Sequence, residues 1–344
     1  MAYTTIDNPV EYFSATLYTG NGTARTIATG HQSDWVWLKR RDGAAGHRIA
    51  DSVRGATKLL YSDSTTSEQT DAKSITGFVS TGFTLGDDAN GYDVNTNTNT
   101  MVAWSWKAGG SASSNSNGSI TSSVSASTDA GFSIVSYTGT GSDANVGHGL
   151  SSAPELIITK SRSTTGDWKV HTSAIDGSWD VGTLNSTSAF GNSSYTASTN
   201  SIFYVGSGAP TNASSVTYVS YLLHSVKGYS KFGSYTGNGS LDAPFIHLGF
   251  KPAWLMIKRT DTTNSWVMFD NKRNAFNVVD KHLFANTTDP EDSSANYNEV
   301  DFLSNGFKLR EDNNTINASG GTYIFMAFAE FPFTNSSGVP NNAR

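Results

Sequence analysis

Short apolar stretches separated by polar turns recur along the whole chain. Residues 35–38, 156–158 and 254–257 are nearly unbroken apolar runs, and each is followed by basic residues. Runs of this length, bounded by polar turns, predict strands that are buried on both faces. The stretch at residues 273–284 comes closest to helical spacing, and it predicts at most a short helix. The pattern therefore predicts an all-β protein.

The same landmarks occur three times along the chain. A strand that ends in a YTGxG turn stands at residues 18–22, 137–141 and 235–239. A histidine and one of the apolar runs follow each turn, and an aromatic strand then closes the copy. The closing strands begin at Thr100, Thr217 and Thr322, at a nearly constant distance from the turns. Matching landmarks at a constant spacing indicate internal duplication.

Each YTGxG turn contains two glycines. Glycine adopts positive φ at no steric cost, and tight turns commonly require it. We therefore expect positive φ at the turn glycines, which are Gly20, Gly22, Gly139, Gly141, Gly237 and Gly239.

The duplication predicts three tandem homologous β-sandwich repeats, of jelly-roll or lectin-like type. The repeats span residues 1–108, 119–227 and 228–344, and a Gly/Ser/Asn-rich linker covers residues 109–118. A linker of this composition is flexible, whereas the second repeat passes directly into the third. We therefore expect a hinged first repeat and rigid packing between the other two.

The composition narrows the possible partners. The 344 residues are 12% aromatic and only 15% charged, and they include no cysteine. The aromatic content argues against disorder, and the lack of cysteine excludes disulfides and thiolate metal sites. Nucleic-acid binding requires a basic face that displaces counterions from phosphate, and the net charge of −6 argues against such a face. We therefore expect no nucleic-acid partner.

The beginning of the chain, MAYTTIDNPVEYF, lacks the basic and apolar regions of a secretion signal. In addition, no apolar run approaches the roughly 20 residues of a membrane-spanning helix. The sequence predicts neither export by a signal peptide nor membrane insertion.

No catalytic constellation emerges from the motifs. His31, His148 and His247 recur at the same place in each copy, but no partner at metal-ligand spacing accompanies them. We expect these histidines to bond to backbone at a strand entrance. A GxSxG elbow is absent as well. The sequence predicts a protein that is not an enzyme, and a polysaccharide depolymerase remains an alternative without a motif.

One loop resembles a calcium site weakly. GDDANGYD at residues 86–93 places Asp87, Asp88, Asn90 and Asp93 around a glycine. The loop lacks the bidentate glutamate of an EF-hand, and Asp, Asn and Gly also suit hairpin turns for conformational reasons. The sequence therefore leaves two interpretations of this loop, a calcium site or an ordinary turn. Calcium is the one cofactor that the sequence suggests.

Two copies share an Asp-x-x-Arg motif. The motif gives Asp51 with Arg54 and Asp270 with Arg273, whereas the second copy has Thr172 and Ile175. We expect ion pairs within a repeat, which contribute at most about 1 kcal/mol each if they are exposed. Their absence from the second copy argues that they are not essential to the fold.

Three aromatic residues are candidates for carbohydrate binding. Trp168, Trp179 and Tyr195 stand next to Asn, Asp and Gly, and such a combination stacks on sugar rings and bonds their hydroxyls. The alternative is that these rings belong to the core, since large aromatics dominate β-sandwich cores.

Long phrases of the sequence resemble virion repeat proteins of tailed bacteriophages, especially phages of marine bacteria and cyanobacteria. The resemblance extends from Tyr12 to about Phe333. The phrases are YTGNG, ATGHQSDWVWLKRR, DSVRGATK, STGFTLG, VAWSWKAGG, GFSIVSYTGTG, GHGLSSAPELIITK, VKGYSKFGSYTGNGS, FKPAWLMIKRTD, FDNKRNAFNVVDK, DFLSNGFKLR and SGGTYIFMAFAEFPF.

The resemblance implies a non-enzymatic structural protein of the virion, a tail fibre or tail-associated protein that also contacts the host surface. Alternatives are a capsid-surface decoration protein (a head fibre) and a carbohydrate-binding lectin module. The implied partners are further copies of the chain in a homotrimer, other virion proteins and a host surface glycan. The implied location is the virion, after synthesis in the host cytoplasm.

Overall fold

The structure, a computed structural model, describes residues 3–292 and 299–341. It confirms the all-β prediction: strands dominate the described residues, and the helical turns are a 3₁₀ helix at Pro9–Glu11 and helix α1 at Ala209–Asn212. We divide the chain into a first segment (residues 3–108), a second segment (residues 109–227) and a third segment (residues 228–341).

Strands follow one another along all three segments. The first segment forms β1 (Phe13–Thr19), β2 (Arg25–Ala28), β3 (Trp35–Arg40), β4 (Arg48–Asp51), β5 (Lys58–Leu59), β6 (Gln69–Thr70), β7 (Ile75–Val79), β8 (Gly82–Leu85) and β9 (Thr100–Trp106). The second segment forms β10 (Ser113–Asn115), β11 (Ser122–Ser127), β12 (Phe132–Thr138), β13 (Ala144–Gly147), β14 (Leu156–Ser161), β15 (Lys169–Thr172), β16 (Asp180–Thr183), β17 (Gly191–Asn192), β18 (Ile202–Val205) and β19 (Thr217–Leu223). The third segment forms β20 (Ser230–Thr236), β21 (Phe245–His247), β22 (Phe250–Arg259), β23 (Trp266–Asp270), β24 (Leu283–Phe284), β25 (Val300–Leu303), β26 (Gly306–Leu309) and β27 (Thr322–Pro332).

The short helix predicted at residues 273–284 does not form. The side chain of Asn274 donates to the carboxylate of Asp280 at 2.7 Å and accepts the backbone N–H of Lys281 at 2.8 Å. These bonds close a loop, and they replace the backbone bonds that a helix would have made.

Each segment contributes one large antiparallel sheet, and a common strand order recurs in the three sheets. The orders are β1-β9-β3-β4 in the first segment, β12-β19-β14-β15 within an eight-stranded sheet in the second, and β20-β27-β22-β23 in the third. A smaller sheet accompanies each large one, with the orders β2-β8-β7, β13-β18 and β21-β26-β25. Strand β10 lies within the predicted linker and forms the edge of the eight-stranded sheet.

Both faces of each large sheet are apolar, which confirms that the central apolar runs are buried on both sides. In β3, Val36 and Leu38 face the small sheet, while Trp35 and Trp37 face the other way, because side chains alternate along a strand. The faces turned away from the small sheets meet one another. Residues from all three segments thus form one cluster, which we call the central core.

Aromatic rings connect the segments within the central core. The ring of Trp35 stacks on Tyr221 of the second segment at 4.4 Å between centroids, and Trp106 meets Trp254 of the third segment edge-to-face at 5.6 Å. Aromatic pairs contribute about 0.5–1.5 kcal/mol beyond their burial. The first segment is therefore packed against both others, which differs from the hinged first repeat expected from the linker composition.

Three buried lysines make the same contact between segments. In each contact the Nζ atom donates to the carbonyl of a threonine in a loop of another segment. The pairs are Lys160 with Thr65 at 3.2 Å, Lys258 with Thr187 at 3.0 Å and Lys39 with Thr288 at 3.2 Å. The same three carbonyls accept the backbone N–H groups of Gly166, Asn264 and Ala45 at 2.8–2.9 Å. The contacts run from the second segment to the first, from the third to the second and from the first to the third.

The turn glycines divide into two kinds. The second glycine of each turn has positive φ, as predicted, at 64° for Gly22, 78° for Gly141 and 63° for Gly239. The first glycine lies against a loop carbonyl instead: a Cβ on Gly139 would stand 2.3 Å from the oxygen of Ala213. The first glycine is therefore required for close approach of two backbones.

Candidate functional site

A groove of about 750 Å³ opens between the large and the small sheet of the second segment. Strands β15 and β16 of the large sheet form one side, and the β13–β18 pair forms the other. The loop at residues 193–196 and the chain around α1 complete the walls. A groove of this size lies within the range of small-ligand sites.

The small sheet beside the groove differs in strand number from the small sheets of the other two segments. In the first segment β8 pairs with both β2 and β7, and in the third β26 pairs with both β21 and β25. In the described residues of the second segment, β18 pairs with β13 only. The groove therefore lies beside a small sheet that has one strand fewer, in the described residues, than those of the other two segments.

His171 is the most enclosed polar side chain of the groove. Its register partner on β14 is Ile157, and paired residues share a sheet face, so its ring points between the two sheets. The residue is only 7% exposed, and burial lowers the pKa of His171 to about 4. The ring is therefore neutral at pH 7, with one donor and one acceptor nitrogen. Across residues 3–292 and 299–341, no hydrogen bond to either nitrogen is formed, and neither nitrogen is among the fully enclosed unpaired atoms, so both are accessible from the groove.

Tyr195 closes the inner end of the groove. Its ring stacks on the His171 ring at 4.5 Å between centroids and is tilted against Trp179 at 5.2 Å. Burial raises the pKa of Tyr195, so the phenol stays protonated and serves as a hydroxyl. A second half-buried tyrosine, Tyr204 of β18, lines the same groove.

Charged side chains lie at the mouth of the groove. Lys169 Nζ lies 3.2 Å from the carboxylate of Asp167 and 3.1 Å from the hydroxyl of Thr183. The carboxylate of Asp143 accepts the backbone N–H of Ser207 at 2.8 Å. Both signs of charge are present, so the groove does not select strongly for an anion or a cation.

Only one of the three predicted carbohydrate-binding residues lies in the groove. Tyr195 lines it, whereas Trp179 is 8% exposed and packs in the core between the two sheets. Trp168 is fully buried in the central core, and its indole N–H donates to the carbonyl of Tyr61 at 2.7 Å. Trp168 therefore offers no ring face to a sugar and does not belong to the candidate site, contrary to the sequence-based expectation. It connects the second segment to the first instead.

The predicted calcium loop is organised by protein donors. The carboxylate of Asp88 accepts the backbone N–H groups of Tyr92, Val94 and Asn95 at 3.0–3.1 Å and the hydroxyl of Thr96 at 2.8 Å. These donors stabilise the negative charge of the carboxylate and occupy its oxygens.

The other residues of this loop also have protein partners. Asp87 pairs with Lys73 at 3.2 Å, Asn90 donates to Asp71 at 2.9 Å, and Asp93 accepts from Arg40 at 3.3 Å. Asp88 and Asp93 adopt positive φ, which Asp tolerates in turns. In the described ranges, no group of three or more His, Cys, Asp or Glu side chains could hold a metal ion. These contacts favour the turn over the calcium site.

Two of the three recurrent histidines bond to backbone as expected. His31 Nδ1 lies 2.7 Å from the carbonyl of Val10, and His148 Nε2 lies 3.1 Å from that of Thr199. Burial lowers the pKa of both histidines. His247 differs, because it is exposed and its own carbonyl accepts Lys231.

The match to a protein-family model decides the classification. A model described as a domain of unknown function, DUF7483, matches residues 8–332. The chain belongs to the DUF7483 family. The DUF7483 match spans all three segments, so the groove and all of the central core except Ile6 lie inside it. No curated protein and no solved structure matches the chain. No helix in the described part of this DUF7483 chain is long and apolar enough to cross a membrane.

Sequence reasoning missed the main polar residue of the groove. His171 does not recur among the three copies, so the repeat pattern does not point to it. The equivalent position holds Phe269 in the third segment and Ala50 in the first. The available signal was the difference itself, namely a histidine where the matching phrases WVMFD and HRIAD have an apolar residue.

Proposed function

We propose that the chain is a non-enzymatic structural protein of a tailed-phage virion, built from three homologous β-sandwich repeats. The observation that carries this proposal is the recurrence of one set of contacts between all pairs of segments. It suits a rigid building block rather than a protein that works by moving its domains. The resemblance of the sequence to virion repeat proteins supplies the context.

The recurrence of strand order supports the repeat assignment. Equivalent strands occupy equivalent sheet positions, and the YTGxG turn ends the first strand of each common order, at β1, β12 and β20. Homologous units of one chain that pack in the same mutual orientation form a pseudo-symmetric trimer. The lysine–threonine contacts run from the second segment to the first, from the first to the third and from the third to the second. This closed cycle supports such an arrangement.

The central core supports a role that requires rigidity. Fully buried tryptophans and tyrosines from three sheets meet there, and burial of each large side chain stabilises the fold by about 1.5–3 kcal/mol. Opening one segment would expose the aromatic faces of the other two. A particle protein that stays folded outside a cell benefits from this arrangement.

We place the protein in a tail fibre or another tail-associated part, in contact with other virion proteins and the host surface. Electron microscopy of the particle, with an antibody raised against the purified chain, tests this location. Label on tail fibres is the expected result. Label on the head favours the alternative of a capsid decoration protein, and particles without label overturn the virion proposal.

We further propose that copies of the chain associate as a homotrimer. The central core already buries the inner faces of the sheets, so a trimer would use the outer surfaces. Light scattering coupled to size exclusion should give three times the chain mass of 36.6 kDa. A single-chain mass at micromolar concentration contradicts this part of the proposal.

The second candidate function is carbohydrate binding, and the groove of the second segment favours it. The groove combines tyrosine rings with polar side chains of both charge signs. A glycan array probed with the whole chain tests this candidate. Binding to defined host polysaccharides supports a lectin role, and the absence of any bound glycan leaves the structural role alone.

A further inference from the structure

We propose that the groove of the second segment is the binding site for a neutral oligosaccharide, with His171 as its central polar contact. The proposal rests on the carbohydrate-binding candidate function and not on the virion location. It assigns a ligand class and a set of residues to a place where the three segments differ.

The first argument is the substitution of a core position by a histidine. Phe269 of β23 occupies the matching register position in the third segment, and it is buried in the same hydrophobic cluster as Val300 and Phe302 of β25. In the described residues of the second segment, the small sheet has two strands and no counterpart of β25, and His171 lines the groove beside this sheet. An apolar contact between two sheets is thus replaced by a polar side chain in front of a groove.

The second argument is the unmatched hydrogen-bonding capacity of His171. Native proteins hydrogen-bond nearly all of their largely buried polar groups, to protein atoms, water or a ligand. His171 is 7% exposed and lines the groove, and no hydrogen bond joins its ring nitrogens to the described residues. Neither nitrogen is among the fully enclosed unpaired atoms of those residues, so both remain accessible to a molecule in the groove. A bound hydroxyl group would satisfy either nitrogen.

The third argument concerns the chemistry of the walls. A sugar hydroxyl both donates and accepts, and the groove offers both functions: Lys169 donates, Asp143 accepts, and the neutral ring of His171 can do either. The lysine is paired with Asp167 at 3.2 Å, and the carboxylate of Asp143 also lines the groove. This balance of charge favours a neutral ligand over a sulfated or carboxylated one.

The fourth argument concerns the size and shape of the groove. Its volume of about 750 Å³ exceeds what a single small metabolite fills and suits a ligand of several rings. Tyr195 and Tyr204 provide apolar ring surface together with hydroxyl groups. Rings with a polar tip suit sugars, which have apolar C–H faces and polar edges.

The test uses the full chain and fluorescent trisaccharides: maltotriose, cellotriose and mannotriose as neutral probes and trigalacturonic acid as the anionic probe. We expect at least one neutral trisaccharide to bind, with weaker binding of the anionic probe. The variant His171→Phe introduces the residue of the third segment and should weaken binding about tenfold or more, because the hydroxyl partner is lost. His247→Phe, the same change at an exposed histidine outside the groove, should leave binding within about twofold.

A second measurement guards against a folding defect in the variant. In the unaltered chain, nitrogen NMR of labelled histidine should show the His171 resonance shifting on addition of the bound trisaccharide, with His247 unchanged. The proposal is overturned if no neutral probe binds, if the anionic probe binds more tightly, or if His171→Phe binds as well as the unaltered chain. Neutral binding that is indifferent to His171→Phe would keep the carbohydrate function and reject this site.

A strand-like occupant is the competing outcome. A synthetic peptide with the sequence of residues 299–304, which include β25, serves as the probe for it. Displacement of the bound trisaccharide by this peptide would show that both occupy the groove and would support the site. Binding of the peptide without binding of any neutral sugar would refute the proposal.

Discussion

The Asp51–Arg54 pair shows how burial changes the weight of a short motif. Both side chains are fully buried, and the hydroxyl of Tyr221 in the second segment donates to Asp51 at 2.7 Å. Arg54 also reaches Glu68, which in turn pairs with Arg162 of the second segment. The pair that would contribute little when exposed is therefore part of an interface between segments.

Replacing Arg54 by alanine should destabilise the protein by about 3–5 kcal/mol, because the carboxylate of Asp51 is left buried without its cation. The matched control is Lys73→Ala, which breaks an ion pair of which the lysine is 51% exposed, and should cost less than about 1 kcal/mol. Urea unfolding of both variants measures the difference. Equal losses in the two variants would contradict the interface role.

The three lysines between segments predict an alkaline rise in stability. Burial lowers the pKa of Lys39, Lys160 and Lys258 to about 8, against 10.5 in the unfolded chain. Between these values the unfolded chain binds more protons than the folded one, so the free energy of unfolding increases with pH. Lys160→Met should reduce this increase, and Lys73→Met, at an exposed lysine, should not.

The measurement is urea unfolding of each variant at about pH 7 and about pH 9.5. The window stays below pH 10 because unfolded tyrosines begin to ionise there, while burial raises the pKa of Tyr221 and Tyr229 in the fold. Stability that falls over this window, or a slope that Lys160→Met leaves unchanged, would refute the prediction.

At the scale of the element, the YTGxG turn works through both of its glycines. The second glycine supplies positive φ, and the first lets the end of the strand approach a neighbouring loop. The sequence shows two glycines in each turn but not which constraint applies to which, because the close carbonyl comes from residues about 75 positions away.

Gly139→Ala should therefore cost about 1–3 kcal/mol, since the new methyl group would overlap the carbonyl of Ala213 and the backbone would have to shift. The control is Gly191→Ala on the edge strand β17, where a Cβ meets nothing within 4 Å and φ is not positive. That change should stay within about 0.5 kcal/mol. Thermal unfolding compares the two, and similar midpoints would show that the turn tolerates the methyl group.

At the scale of the whole molecule, the central core makes the segments dependent on one another. Each large sheet buries one face against its own small sheet and the other against neighbouring segments. A segment taken alone would expose Trp35, Trp37, Trp104 and Trp106, or their counterparts, and an apolar surface of that size leads to aggregation.

The first segment alone, expressed as residues 1–108, should therefore be insoluble or unfolded. Expressed together with residues 109–344, it should form a complex of one copy each, because the chain break falls in the join between segments and leaves the core intact. Size exclusion and mass spectrometry of the co-expressed pieces measure this. A soluble, folded first segment on its own would show that the central core is dispensable.

The sequence alone determined the β class, the strand order along the chain and the double burial of the central runs. The alternation of apolar and polar residues, the turn residues and the repeated phrases depend on residues close together in the chain, so the sequence shows them directly. The same reasoning expected a hinge after residue 108, because the composition of a join indicates flexibility but does not reveal what the joined faces contact.

Only the tertiary structure decided which residues form the candidate site and how the segments meet. Trp168 and Tyr195 are both aromatic residues next to polar or small residues in the sequence. In the structure Trp168 is enclosed in the central core, whereas Tyr195 lines the groove. His171 lines a groove beside the second segment's small sheet, which in the described residues lacks a strand that the other two segments have. Burial, free edges and contacts between segments depend on residues far apart along the chain, so they arise only when the sheets pack together.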